Sequence, residues 1–503
     1  NRSVTATSAP IHGEAPLLFL VILSHVVGAK RPNILFIVAD DLGWNDVGWH
    51  NPDMLTPNLD TLAKQGVILE NSYVQPLCSP SRTAFMTGMY PFRSGMQHRV
   101  IRPLQPKGVP TNFTFLPEKL KEVGYATHIV GKWHLGFCNL SYTPLHRGFN
   151  SHYGYYNGAE DYFLHDRQYG SSIDGYDFRD NSEPDDGARG TYSTFLFAKR
   201  ARQIITNHDT GKPLFLYLPF QAVHSPVQVP ERFEYPYHKI NDRTRRAFSG
   251  MVSALDEAIG NITHALALKG MLDDTVIVFT TDNGGRTLYG GNNWPLRGQK
   301  YTLWEGGTRG AAFVSGGIFK KTIGRIFRGL FHAVDWFPTL LAVAGHSPEN
   351  LTLDGMNQLE SLTTPYHPGA RKEFVYNIDD IDENAAIRVG NLKLIVGKPG
   401  PADRDGWTPA PTLADDNEVR FARDEDAGEI HPEPSKRQLF DLGRDPTEHH
   451  DLSEQHPFTV NVMYKRLLEL TADYHYAYYP DDDPSGNPLY FNRNWSPGWC
   501  DAI

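Results

Sequence analysis

The chain has 503 residues, 40% of them hydrophobic and 12% aromatic. That allows a large buried core and more than one domain, and it excludes a disordered chain or a small disulfide-stapled one. A formal net charge of -10 argues against a nucleic-acid partner, which needs a basic face, so any anionic substrate must meet a local cluster of cations.

Residues 1–29 read as a signal peptide. Ala15 to Leu23 is almost wholly apolar, and Val27-Gly28-Ala29 offers small residues for cleavage. Ser24 and His25 break the run short of the roughly 20 residues a membrane helix needs. No other stretch is apolar enough, so no membrane span is expected after signal cleavage. Six N-x-S/T sequons, at Asn1, Asn112, Asn139, Asn261, Asn350 and Asn494, agree with a secretory route. The three cysteines are Cys78, Cys138 and Cys500. An odd number in an exported chain leaves at least one unpaired or modified. Cys138 and Cys500 are a candidate staple between the N-terminal domain and the C-terminus.

From residue 30 to 345, short apolar runs alternate with helix-like segments, which predicts an α/β domain with a large, mostly parallel sheet flanked by helices. The strand candidates are Ile34–Ala39, Ala126–Val130, Leu214–Phe220 and Thr275–Thr280. The helix candidates are Asn58–Gln65, Leu116–Val123, Ser193–Thr206 and Arg245–Leu268. Asn150–Thr191, rich in Tyr, Asp and Gly, reads as long loops over one face. Residues 346–503 read as a smaller C-terminal α+β domain. Its strands are Glu373–Asn377, Ala386–Val389 and Leu392–Val396, the last two joined through Gly390-Asn391. An acidic, Pro-rich excursion at 401–436 and a helix over Phe458–Tyr474 complete it.

The polar residues that follow the buried runs carry the chemistry. Asp40-Asp41 follows the first, Lys132 and His134 the second, His224 the third and Asp282-Asn283 the fourth. In open parallel sheets, ligands bind beyond the carboxyl ends of the strands, so these segments converge on one edge. Asp40, Asp41, Asp282 and Asn283 offer only oxygens, which suits Ca²⁺ or Mg²⁺, and several direct side-chain ligands favour Ca²⁺. A lone Asp-Asp is more often a solvated turn; two such pairs behind buried strands reverse that preference. Lys132 and His134, two residues apart, point to the same side of an extended segment. Taken singly, His134 and His224 are more often structural histidines.

Cys78-Ser79-Pro80-Ser81-Arg82 opens a helical segment, Thr83–Met89. Pro80 suits a first helical turn, which puts residue 78 at a helix N-terminus, where an anion is favoured. A buried cysteine, a disulfide partner or an ordinary reactive thiol are the plain readings of Cys78.

The string C-S-P-S-R followed by T-A-F-M-T-G resembles the C-x-P-S-R signature of type I sulfatases, which the formylglycine-generating enzyme reads to oxidise the cysteine. The resemblance runs from Arg31 to the C-terminus. It includes N-I-L-F-I-V-A-D-D-L-G-W, V-G-K-W-H-L-G and T-D-N-G-G. G-G-N-N-W-P-L-R-G-Q-K, ending at Lys300, and W-E-G-G-T-R-G are most similar to the arylsulfatase B (N-acetylgalactosamine-4-sulfatase) branch. The resemblance implies an alkaline-phosphatase-like sulfatase fold and one Ca²⁺ held by Asp40, Asp41, Asp282 and Asn283, with a formylglycine at Cys78 facing it. Arg82, Lys132, His134, His224 and Lys300 match the family's basic active-site positions. It also implies a sulfated carbohydrate or aryl sulfate as substrate, and a lysosomal or secreted enzyme. Leu104 and Gly108 stand where the arylsulfatase B branch has cysteines, so that branch's disulfide scheme does not transfer. Two alternatives stay open: a phosphate or phosphonate monoester hydrolase of the same superfamily, and a catalytically inactive glycan-binding protein.

Overall fold

The computed structural model describes residues 31–347, 351–409 and 437–502. The expected signal peptide, the sequons at Asn1 and Asn350 and most of the 401–436 excursion lie outside the described residues.

Five parallel strands form the centre: β1 (Asn33–Ala39), β2 (Ala126–Lys132), β3 (Ser151–Tyr155), β4 (Leu214–Pro219) and β5 (Thr275–Thr281). They lie in the order β5-β1-β4-β2-β3 within a ten-stranded sheet. Phe313–Ser315, Val67–Leu69 and Arg325–Phe327 extend the sheet beyond β5, and Arg179–Asp180 with Glu183–Pro184 finish the other edge. Every residue of β1 is buried. Ile34, Phe36 and Val38 enter one core, with Phe85 and Trp336; Leu35, Ile37 and Ala39 enter the other, with Phe197 and Leu255. Alternation of side chains across a strand covered on both faces requires such a near-continuous apolar run. The parallel register pairs Val38 with Thr280 and Ala39 with Thr281, so Asp40 and Asp282 leave the sheet side by side.

The flanking helices include α1 (Pro57–Lys64), α2 (Cys78–Thr87), α3 (Leu116–Glu122), α4 (Ser193–Asn207) and α5 (Arg243–Leu268). All except α2 lie within two residues of the expected spans. α5 starts early because the Asp242 carboxylate accepts from the Thr244 and Arg245 backbone N–H groups, a side-chain cap. α2 is buried along its whole length and stops at Gly88, whose φ of 68° closes the helix.

Two expectations are corrected. Asn150–Thr191 is not only loops: β3 pairs in parallel with β2, and Asp166–Tyr169 pairs with Ile173–Tyr176 in a hairpin. Tyr153 and Tyr155 are buried in the sheet, so the aromatic residues that looked like loop decoration are core. The helix Pro457–Leu470 stops short of Tyr474, because the chain beyond it bonds elsewhere: His475 N–H donates to the Phe92 carbonyl and Tyr478 N–H to that of Gly95.

A second sheet runs antiparallel in chain order through β6 (Glu373–Asp379), β7 (Asn384–Val389), β8 (Leu392–Val396) and β9 (Arg437–Asp441). Phe374, Tyr376, Ile387 and Leu394 join the same core as Phe36. A buried polar junction adds to this seam. The Glu305 carboxylate accepts from Tyr73 at 2.7 Å, Tyr376 at 2.8 Å and Lys393 at 3.0 Å, and Lys393 also reaches Glu448 at 2.7 Å. Cys138 and Cys500 form a disulfide, with Cα atoms 5.4 Å apart, while Cys78 stays free and buried.

Candidate active site

The carboxyl ends of β1, β2 and β5 open on one buried cluster. Asp40 and Asp41 follow β1 directly, and Asp41 takes a φ of 56°, a region that Asp tolerates better than most residues. Lys132 ends β2, and its Nζ lies 2.5 Å from Asp40. Arg82, on α2, is fully buried. Its Nη2 reaches Asp40 at 3.2 Å and Asp282 at 2.8 Å, its Nε reaches Asp282 at 3.0 Å, and its Nη1 donates to the Lys132 carbonyl at 3.1 Å. One guanidinium thus ties three strand ends together.

Cys78 is the first residue of α2. Its Sγ lies 3.6 Å from Asp40 Oδ1 and 3.4 Å from Lys300 Nζ. Lys300 Nζ is also 2.6 Å from Asp41 Oδ1, and His224 Nε2 stands 3.7 Å from Asp41 Oδ2. Every residue expected from the sequence thus stands in this cluster or, like His134, beside it.

Asp40, Asp41, Cys78 and His224 bring ligand atoms within 4.8 Å of one another. Asp282 stands beside that group, its Oδ2 accepting from Arg82 and its Oδ1 accepting the Asp41 N–H at 3.4 Å. Asn283 Nδ2 donates to Asp41 at 2.7 Å, while its buried Oδ1 has no partner among the described residues. The carboxylates of Asp40 and Asp41, with Asp282 and the orphaned amide oxygen of Asn283 beside them, are hard oxygen donors whose chemistry fits Ca²⁺.

Burial pushes the Cys78 thiol up to about 12, and Asp40 adds to the shift. Both effects favour the thiol over the thiolate that a cysteine nucleophile requires. Burial alone would raise Asp41, but Lys300 and His224 outweigh it and hold the carboxyl below its usual range. Burial lowers His224 to about 3 against the pull of Asp41. His134 is driven well below its ordinary value by burial, with Lys132 and Arg82 adding repulsion.

The two histidines are set in opposite tautomers. His134 Nε2 lies 3.0 Å from the Ile101 carbonyl, which can only accept, so Nε2 carries the proton. Its buried Nδ1 has no partner among the described residues and keeps a free lone pair. His224 Nδ1 lies 2.6 Å from the Ser225 carbonyl, so its Nε2 is the acceptor until a second proton arrives. Two further contributors carried no functional signal in the sequence. Ser79 Oγ donates to the His134 carbonyl at 3.0 Å and accepts the Ile101 N–H at 3.2 Å. The Ile101 carbonyl acts through backbone alone, which no residue pattern announces.

A family model described as Sulfatase matches residues 32–346. Mouse arylsulfatase J (Mus musculus) is 40% identical over 491 residues, covering 93% of this chain and 81% of its own. Bovine arylsulfatase A (Bos taurus) is 31% identical, covering 86% of each. Among solved structures, Ps i-CgsB in complex with k-i-k-neocarrahexaose matches with a TM-score of 0.76 at 28% identity, covering 92% of this chain and 98% of that one. The cluster at the strand ends and the likeness along nearly the whole chain lead to one assignment: this chain belongs to the type I sulfatase family and is a sulfuric ester hydrolase.

Proposed function

We propose that this enzyme hydrolyses sulfate monoesters of aryl alcohols or of sulfated carbohydrates, 4-sulfated N-acetylgalactosamine of glycosaminoglycans among them, using one Ca²⁺ and a formylglycine made from Cys78 by the formylglycine-generating enzyme. The observation that carries this reading is the place of Cys78: it opens α2 at the head of Cys78-Ser79-Pro80-Ser81-Arg82, and its Sγ lies between Asp40 and Lys300 at the centre of the cluster. The ion would rest on Asp40, Asp41, Asp282 and Asn283, with the side chain at 78 facing it. Together the two groups supply Lewis-acid charge and a hydrated aldehyde bearing two hydroxyls.

The chain's own residues divide the remaining tasks. Lys300 and His224 flank Asp41; Lys300 Nζ binds a sulfate oxygen and gives a proton to the departing oxygen, and His224 Nε2 shares both tasks once the bound anion has raised it enough to take up a second proton. His134 Nδ1 takes a proton from the side chain at position 78. Arg82 and Lys132 hold Asp40 and balance charge developing beside it. Asp40, Asp41 and Asp282 are matched by Arg82, Lys132 and Lys300, so with a divalent ion bound the site would be net positive and would attract an anionic ester.

A carbohydrate substrate is supported by the relatives. Ps i-CgsB is named in complex with a neocarrahexaose, and human N-acetylgalactosamine-6-sulfatase (Homo sapiens) is 32% identical over 66% of this chain. A lysosomal or secreted location accords with the Cys138–Cys500 disulfide and with exposed sequons at Asn112 and Asn261. No helix among the described residues is long and apolar enough to cross a membrane. Residue 346 would divide the catalytic domain from the smaller one.

Turnover of nitrophenyl sulfate against nitrophenyl phosphate tests the reaction class. The sulfate is expected to react at least about a hundredfold faster; preference for the phosphate would make the chain a phosphate or phosphonate monoester hydrolase.

A further inference from the structure

The loop that sets the tautomer of His134 has little regular structure of its own. Residues 97–105 contain no strand or helix, yet Ile101 must hold its carbonyl on His134 Nε2 and its N–H on Ser79. The bonds that fix the loop come largely from the C-terminal part of the chain. His98 Nδ1 lies 2.8 Å from Asp379 Oδ2, at the end of β6, and both residues are buried. Asn377 Nδ2 donates to the Gln97 carbonyl at 3.1 Å, and Gln97 Nε2 donates to the His475 carbonyl at 2.7 Å and to Asp380 at 3.3 Å. Arg102 reaches Asp482 at 2.9 Å, and Gln105 donates to the Pro480 carbonyl at 2.8 Å.

We infer that His98, clamped by Asp379, is a positioning residue for the proposed base His134: it holds the loop so that the Ile101 carbonyl keeps the proton on Nε2 and leaves Nδ1 free. The inference rests on the proposed role of His134. His98, Asp379 and Asp382 also bring ligand atoms within 4.8 Å, a pattern that invites a cation. However, Asp379 Oδ1 already accepts the Ile381 and Asp382 N–H groups, and the Arg99 guanidinium sits 3.4 Å from Asp382. Those bonds join Asp379 and Asp382 to the loop and to their own turn, and in that arrangement the cluster serves as a clamp. A displaced base costs rate at the chemical step more than affinity for substrate.

The test compares His98→Ala with His98→Asn, whose amide can offer an N–H near the place of Nδ1, in steady-state turnover of nitrophenyl sulfate. His98→Ala is expected to lower kcat on the order of tenfold to a hundredfold with KM within about twofold, with the state of residue 78 unchanged by peptide mass. His98→Asn should recover most of that loss. Gln97→Met, which removes only the side-chain bonds to His475 and Asp380, should give a smaller loss of the same kind, and it serves if His98→Ala does not fold. Nitrogen-15 spectra of the His134 ring should show one Nε2–H tautomer in the wild type and in His98→Asn. That spectrum needs no substrate, so it separates failure of this inference from failure of the sulfatase reading. A wild-type kcat in His98→Ala and Gln97→Met, a loss carried by KM, His98→Asn as slow as His98→Ala, or a mixed tautomer in the wild type would each overturn it.

Discussion

At the scale of single residues, Cys78 and its neighbours decide the chemistry. A serine at 78 fits the same buried space but brings one hydroxyl, where the proposed formylglycine hydrate would bring two. Cys78→Ser is therefore expected to fold with an unchanged thermal midpoint and to lose kcat by about three orders of magnitude or more on nitrophenyl sulfate, with at most one turnover per molecule. Sustained wild-type rates from that variant would contradict the mechanism. Much of this site was legible in sequence because its parts are side chains behind recognisable strands: Asp40-Asp41, Lys132, His224 and Asp282-Asn283 all sit where buried runs end. What escaped the sequence acts through backbone or through distance. The Ile101 carbonyl has no residue signature, and His98 meets Asp379 across 281 positions of chain.

At the scale of elements, the seam between the two sheets depends on a shared charge. Burial pushes Glu448 up to about 7; Lys393 opposes the shift and Glu305 adds to it. Burial pushes Glu305 up as well, but Lys393 and Arg388 outweigh it and hold that carboxyl at about 2. Between pH 4.5 and about 7, the folded state keeps the Glu448 proton that the unfolded chain releases, so this group's contribution to stability falls as pH rises through that window. Glu305, held low in the folded state, adds a slope of the opposite sign only near pH 4.5 and none in the upper part of the window. Glu448→Gln keeps an acceptor for the Glu305 N–H and cannot titrate. Thermal midpoints across that range should fall with rising pH less steeply in the variant than in the wild type; equal slopes would refute the assignment. The strands and helices themselves were largely readable from apolar runs, whose ends were fixed within a few residues. β3 was missed because its Ser-His-Tyr-Gly-Tyr sequence gains burial from the neighbouring β2 and not from its own hydrophobicity.

At the scale of the whole molecule, the C-terminal part does more than cover the sheet. It supplies Asn377, Asp379 and the 475–483 segment that hold the loop behind His134. It is also tied to the N-terminal half of the chain by the Cys138–Cys500 disulfide. The α/β class followed from alternating runs, and the family from C-S-P-S-R with its companion motifs. The antiparallel order of β6 to β9 and their burial against the Phe36 core needed the coordinates, since packing partners far apart in sequence leave no local pattern. The whole account turns on the chemical state of one side chain in the mature enzyme. The mass of the peptide spanning residue 78, measured on protein that hydrolyses nitrophenyl sulfate, tests it most directly. An aldehyde, in a fraction that scales with specific activity, is the predicted result; a fully active enzyme with an intact thiol at Cys78 would contradict it.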